Sequence, residues 1–250
     1  MFKGFYNLSS SMLTQNKNLN VISNNLSNVS TSGYKSDSMV SGTFKDAVMS
    51  RSGNNMIGAD GTPLGNSSMI TVPYETVTDF SHGGWEQTGS VLDFAIDGKG
   101  FFEVDRQGEK VYTRNGSFSL DDEGYIVLQG IGRVSGSGGP IRMTTDDFQV
   151  QPDGRIYDAS GNLISKLKIV EFNNYDNLTK VDEGVFTSGD NPQNSDSTVM
   201  WKYVEASNVD PIREMTDMMV SQRTLQSAAQ LLKMYDSMAS KAATEIGRVQ

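Results

Sequence analysis

The C-terminal run of this chain constrains its fold more than any other stretch, because it holds one period without interruption. Between Ile212 and Ile246 there is neither glycine nor proline. At a rise of about 1.5 Å per residue, one helix over this run would reach roughly 50 Å. Alternating steps of three and four select Met218, Ser221, Leu225, Ala228, Leu232, Tyr235, Ala239, Ala242, Ile246 and Val249, apolar everywhere except Ser221. Residues at this spacing share one helix face, so the run predicts a helix over 210–250 with a seam that a second helix must cover. Asp210 suits the N-cap and Pro211 the first turn, where no N–H is needed; Glu214 places negative charge near the positive end of the helix dipole. The opposite face carries Gln222, Arg223, Gln226, Gln230, Lys233, Asp236, Ser240 and Lys241 and is expected to stay polar. The methionines at 215, 218, 219, 234 and 238 read as adaptable packing rather than a metal box.

The N-terminal thirty residues supply a partner with the same step: Leu8, Met12, Gln15, Leu19, Ile22, Leu26 and Val29. Its other faces are crowded with asparagine and serine, which offer the backbone competing hydrogen bonds, so this helix is expected to be marginal alone. Periodicity by itself is equally compatible with an ordinary two-helix coiled coil and with a helix that orders only on assembly.

Between the helices the pattern changes. Residues 1–50 read as the N-terminal helix and a turn, with Val40, Phe44, Ala47 and Val48 spaced for a second short helix. Residues 51–69 read as a linker or extended arm, poor in anything to bury. From 70 to 186, period two and short apolar runs punctuated by turn residues predict a β module of eight to a dozen strands. Residues 187–209 return to Gly, Ser, Asp, Asn and Pro and read as a second linker before the helix over 210–250. The expected fold class is α+β, with N- and C-terminal helices pairing as a coiled coil around a central all-β module.

Composition closes several routes. With 21 Lys+Arg against 30 Asp+Glu the net charge is −9, unsuited to a nucleic-acid or anionic-membrane partner. The absence of cysteine excludes disulfides and thiolate metal sites. The start, Met1-Phe2-Lys3-Gly4-Phe5-Tyr6, lacks a basic region followed by an apolar segment, and no apolar run is long enough to span a bilayer. Membrane insertion is therefore not expected, and any export would proceed without a cleaved signal.

The stretch Asn24-Asn25-Leu26-Ser27-Asn28-Val29-Ser30-Thr31-Ser32-Gly33-Tyr34-Lys35 resembles the N-terminal signature of the bacterial flagellar rod and hook axial proteins. Physically, Gly33 can take the left-handed conformation that stops a helix, and Tyr34 can fold back over the end of the seam. Ser207-Asn208-Val209-Asp210-Pro211, with Gln222-Arg223 beyond it, resembles the same family's C-terminal signature. Ala95-Ile96-Asp97-Gly98-Lys99-Gly100-Phe101-Phe102 resembles its internal Gly-Phe-Phe segment. Leu225 stands where many members have an aromatic residue, and the short β module resembles that of the rod proteins more than that of the longer hook proteins. The resemblance implies a structural subunit of the flagellar basal-body rod that polymerises helically into a drive shaft from motor to hook. It implies export through the flagellar type III apparatus, a location outside the cytoplasmic membrane, and self and other axial proteins as partners. Leu8, Met12, Leu19, Ile22, Leu26 and Val29, with the seam from Met218 to Ile246, are the expected subunit-packing residues.

No catalytic, cofactor-binding or metal-binding residues are expected. The single histidine, His82, lies beside Ser81 in a turn, and such a pair is a triad only if a third group orients it. Asp121-Asp122-Glu123 and Asp146-Asp147 lack the ligand spacing of a calcium loop. Gly98-Lys99-Gly100 lacks the spacing of a phosphate loop. The competing expectation is a secreted β-rich module that binds or degrades cell wall, for which Trp85 and Trp201 are a thin aromatic endowment.

Overall fold

A computed structural model of the chain describes residues 2–43, 46–51, 62–68, 71–143, 147–182, 184–195 and 197–247. It begins and ends in helices, α1 (Phe2–Ser27) and α2 (Pro211–Gly247). Its residues group into two compact units: 1–26, 37–79 and 210–250 form one, and 27–36 with 80–209 form the other.

The first unit holds both helices and two ribbons. Strand β1 (Asp37–Thr43) pairs antiparallel with β4 (Thr71–Thr78), and β2 (Asp46–Arg51) pairs with β3 (Thr62–Ser68). The short helix expected around Val40, Ala47 and Val48 is therefore extended chain; Phe44 lies outside the described residues. Val40, Thr43 and Val48 are β-branched and Gly42 is a poor helix former, so once β4 offers a ladder to β1 and β3 one to β2 the strands win. The expected arm over 51–69 likewise contains a strand, β3; its residues 52–61 and 69 lie outside the described ones.

Helix α2 starts as its sequence indicates. Asp210 Oδ1 accepts from the backbone N–H of Ile212 at 3.0 Å and of Arg213 at 3.3 Å, satisfying two donors that the first turn leaves open. The less exposed positions of α2 are Glu214, Met218, Ser221, Leu225, Ala228, Ala229, Leu232, Tyr235 and Ala242, while Ala239 is exposed and the side chain of Ile246 lies outside the described residues. Along α1, Leu8, Met12, Gln15, Leu19, Ile22 and Leu26 are half-buried or buried.

Three contacts tie the helices together. Tyr235 Oη fills the space beside Gly4, where a Cβ would lie 2.8 Å away. Asn18 Nδ2 donates to Ser221 Oγ at 3.2 Å, and Asn25 Nδ2 to Glu214 Oε1 at 2.9 Å. Descending α1 in steps of seven is matched by ascending α2 in steps of seven, so the helices run antiparallel. The one polar interruption of the α2 seam, Ser221, is thus the acceptor for an asparagine of α1. The back of α2 is less polar than expected: Ile212, Met215, Met219, Val220, Leu231, Met234 and Met238 are all exposed there.

The second unit is built on a ten-stranded sheet in which β7 (Phe101–Arg106) is central. Of the earlier strands, β5 (Trp85–Gln87) and β6 (Phe94–Asp97) pair elsewhere, and β8 (Glu109–Thr113) returns beside β7. Consecutive strand residues point to opposite faces, which explains the Phe-Phe pair. Phe102 enters a core with Phe94, Ile96, Val104, Phe118 and Ile126, while Phe101 enters another with Tyr112, Val170, Phe172 and Phe186. Burying each ring is worth about 1.5–3 kcal/mol. Gly100 admits the close approach of Ile169, and Gly98 takes φ 130° beside Ser197.

The expected linker over 187–209 is not one. Gln193–Asn194, Thr198–Trp201 and Tyr203–Glu205 are strands, the second pairing with β6 and the third with β5. Gln193–Asn194 pairs with Val170 and Glu171 about two dozen residues earlier, and the other two strands sit on ladders whose partners lie about a hundred residues or more earlier, pairings that local composition does not reveal.

Candidate assembly site

Gly33 and Lys35 of the N-terminal motif meet, within the second unit, at a buried carboxylate, Glu205, two residues ahead of Ser207-Asn208-Val209. Glu205 ends the strand Tyr203–Glu205, held opposite Trp85 by its register. Its side chain and that of Lys35 are both fully buried, with Lys35 Nζ 2.6 Å from Glu205 Oε1. Lys35 Nζ also donates to the Ser81 carbonyl at 2.7 Å. The Gly83 N–H donates to Oε1 at 3.2 Å, His82 Nδ1 lies 3.3 Å from it, and buried Arg114 approaches Oε2 through Nη1 at 3.5 Å. Arg114 lies over the ring of Phe101 with its Nε buried and without a hydrogen bond. Burial pulls the Arg114 guanidinium below its ordinary value, and the Glu205 charge opposes that shift.

Gly33 completes the closure. It has φ 68°, its N–H donates to the Glu205 carbonyl at 2.7 Å, and a Cβ there would collide with the Arg114–Asn115 peptide. Tyr34, expected to fold back over the seam, is grouped with the second unit. It is buried in the second unit with Lys180 Nζ 4.0 Å above its ring. Asn28 is buried and accepts from the Thr31 hydroxyl at 3.0 Å. Asn208 accepts from Ser36 N–H at 2.8 Å and donates to Ser81, while Ser207 accepts from Val209 N–H at 3.3 Å. Among these residues the terminal signatures make hydrogen bonds that close the chain on itself.

We expect Gly33→Val to shift the unfolding of the second unit, because a β-branched residue at positive φ is strained by about 1–2 kcal/mol and its Cβ also displaces the 114–115 backbone. Both tryptophans, Trp85 and Trp201, belong to this unit. Their fluorescence in a urea titration should show the midpoint falling; an unchanged midpoint would contradict the placement of Gly33.

In the first unit, Asn25 is the corresponding junction. Its Nδ2 donates to both the Asp37 carbonyl at 2.8 Å and Glu214, and its Oδ1 accepts from Asp37 N–H at 2.9 Å. Burial pushes Glu214 above the usual carboxylate range, opposed by the hydrogen bond from Asn25. Asn24, Gln222 and Arg223 are exposed.

A second buried carboxylate, Glu103, also forms ion pairs. A cleft of about 870 Å³ in the second unit includes buried Glu103, straddled by Lys168 at 3.0 and 2.8 Å and reached by Lys110 at 3.3 Å. Two ammonium groups on one carboxylate neutralise it and leave it poorly suited to proton transfer. His82 faces Glu205 and Arg114 rather than a serine nucleophile. Glu205 and Arg114 escaped the sequence reading; the available signal was an acid wedged between Val204 and Ala206 just ahead of Ser207-Asn208-Val209.

Comparison with known proteins finds similar chains over nearly the whole length. Residues 5–35 match the family model described as flagella basal body rod protein. Residues 95–157 match the flagellar hook protein FlgE/F/G D1 domain, and residues 202–245 match the flagellar basal body rod FlgEFG protein C-terminal region. The flagellar basal-body rod protein FlgG of Bacillus subtilis is 33% identical over 94% of this chain and 96% of its own length. FlgG of Buchnera aphidicola from Schizaphis graminum is 30% identical over 91% of this chain and 93% of its own. The rod protein FlgF of Caulobacter vibrioides is 26% identical over 96% of each.

Proposed function

This chain belongs to the flagellar basal-body rod protein family, and on that premise we propose that it polymerises helically through its two long helices into the shaft that carries torque from motor to hook. It is a structural subunit of the basal-body rod, it assembles with other axial proteins of the flagellum, and it is not an enzyme. The competing reading, a secreted wall-binding or wall-degrading module, is not supported, since the relatives that match over nearly the whole chain are rod proteins.

The observation that carries the mechanism is the two-sidedness of α2. One face meets α1, and the other leaves Ile212, Met215, Met219, Leu231, Met234 and Met238 in solvent. The α1–α2 pair acts as an antiparallel coiled coil inside each subunit, closing Leu8, Met12, Leu19, Ile22 and Leu26 against Met218, Leu225, Ala228, Leu232 and Tyr235. The outer stripe, together with exposed Ala239, then packs on neighbouring subunits. Clustered exposed apolar side chains, here Ile212, Met215, Met219 and Val220 and, beyond polar Arg223, Gln226 and Gln230, Leu231, Met234 and Met238, mark an interaction surface, and heterologous contacts that do not close build filaments. Passage through the type III export apparatus as an unfolded chain suits α1, whose asparagine-rich sequence has little helical stability of its own. No helix among the described residues is long and apolar enough to cross a membrane.

The paired substitution Met219→Asp and Met234→Asp tests the outer stripe against Ser240→Asp, an exposed position on the flank of α2 between stripe and seam, as control. Both changes of the pair fall on exposed side chains, so tryptophan fluorescence and helix content of the isolated subunit should be unchanged. Electron micrographs of basal bodies should show rods missing or truncated for the methionine pair and normal for the control. Normal rods and normal swimming with both methionines replaced would refute the assignment.

A further inference from the structure

We infer that Asn18 and Asn25 of α1, with Gly4, determine the register in which α1 lies against α2, an inference that rests on the two helices pairing within one subunit. The apolar seams cannot choose a register. Leu8, Leu19, Ile22 and Leu26 on one helix and Met218, Leu225 and Leu232 on the other recur at near-heptad steps. A slide of seven residues sets apolar rows against apolar rows again.

The polar line does choose. It runs Gly4, Ser11, Asn18, Asn25 on α1 against Tyr235, Ala228, Ser221, Glu214 on α2, one step of seven at a time. Three of the four pairs are in contact, and at the fourth position Ser11 is half-buried and Ala228 buried. Slid one heptad in one direction, Asn18 would face Ala228 with no acceptor, and the Tyr235 ring would meet Ser11 instead of the space beside Gly4. Slid in the other direction, Asn25 would pass the start of α2, and Asn18 would move onto Glu214. Asn25 is further anchored by its two bonds to the Asp37 backbone, so it holds α1, β1 and α2 at one point. A buried amide deprived of its partner is penalised more than a matched one is rewarded, which is how one polar residue in an apolar seam specifies alignment.

The chain has no cysteine, so introduced pairs report register directly. Ser11→Cys with Ala228→Cys reads the native alignment. Gln15→Cys with Leu232→Cys and Gln15→Cys with Met218→Cys read heptad slides in the two directions; natively each pair is offset by about 10 Å along the axis, beyond the reach of a disulfide. Full-length protein is oxidised mildly and intrachain links are quantified by mass. In the parent background only the native pair should link. In an Asn18→Leu, Asn25→Leu background a slide reporter should rise to at least a tenth of the native yield. If leucine abolishes the native link, Asn18→Ala with Asn25→Ala takes its place with the same expectation. Slide reporters that stay blank in both backgrounds while the native pair links would overturn the register assignment alone. A native pair that links only between chains, or not at all in the parent, would overturn the intramolecular pairing on which it rests.

Discussion

Replacing Glu205 with glutamine is expected to destabilise the second unit more than any surface substitution in the chain. Lys35 and Glu205 are fully buried, and Arg114 is only 3% exposed. Removing the carboxylate charge leaves two buried cations facing a neutral amide. Breaking a buried ion pair by deleting one partner typically costs about 3–5 kcal/mol, a large share of a domain stability of about 5–15 kcal/mol. The penalty arises from desolvated charge, so taking away the second partner should return part of it. The double variant Lys35→Met, Glu205→Gln should therefore cost less than the sum of the singles, with a coupling of about 1.5 kcal/mol or more in a double-mutant cycle read by tryptophan fluorescence in urea. His82→Ala is the internal control. Its ring is 36% exposed and sits third in line behind Lys35, so its removal should cost under about 1 kcal/mol. An additive cycle, or a Glu205→Gln shift no larger than that of His82→Ala, would mean that the cluster does not hold the fold closed.

The second large effect concerns assembly. Leu232 is half-buried on the α2 face turned towards α1, and Lys233 beside it is exposed. Leu232→Asp removes an apolar side chain from the helix interface, at the lower end of the roughly 2–5 kcal/mol for a buried leucine, and leaves a carboxylate with no partner there. In a polymer that loss recurs in every subunit. Lys233→Asp should change stability by less than about 0.5 kcal/mol, the usual range for an exposed position. Each variant is expressed in place of the parent, its second unit is checked by tryptophan fluorescence, and basal bodies are imaged. Leu232→Asp should leave few or no complete rods and Lys233→Asp a normal complement. The reverse pattern, or normal rods for both, would remove the helix seam from the account of assembly.

Features written in short stretches of chain were legible before the fold was known. The start of α2 at Pro211, its capping by Asp210 and the left-handed Gly33 each follow from residues within one turn of the feature. The less exposed positions of α2 mostly follow a spacing of three and four, because helical geometry alone brings such residues to one face, although Ala239 on that spacing is exposed. The extended states of 37–43 and 46–51 and the strands within 187–209 were not legible. A β-strand is decided by a partner that can lie anywhere in the chain, and Thr198–Trp201 finds β6 about a hundred residues earlier. The same distance hid Glu205, whose partners Lys35 and Arg114 are separated from it by 170 and 91 positions.

The sequence by itself determined that the chain has helical ends, a β-rich middle and the signatures of a rod subunit, since periodicity, capping and turn chemistry act over a few residues. The tertiary structure alone decided which carboxylate closes the two signatures together and which asparagines meet which residues of α2. Burial is the reason: an isolated lysine, arginine or asparagine is at home in water, and only when distant segments exclude that water does each require a specific partner.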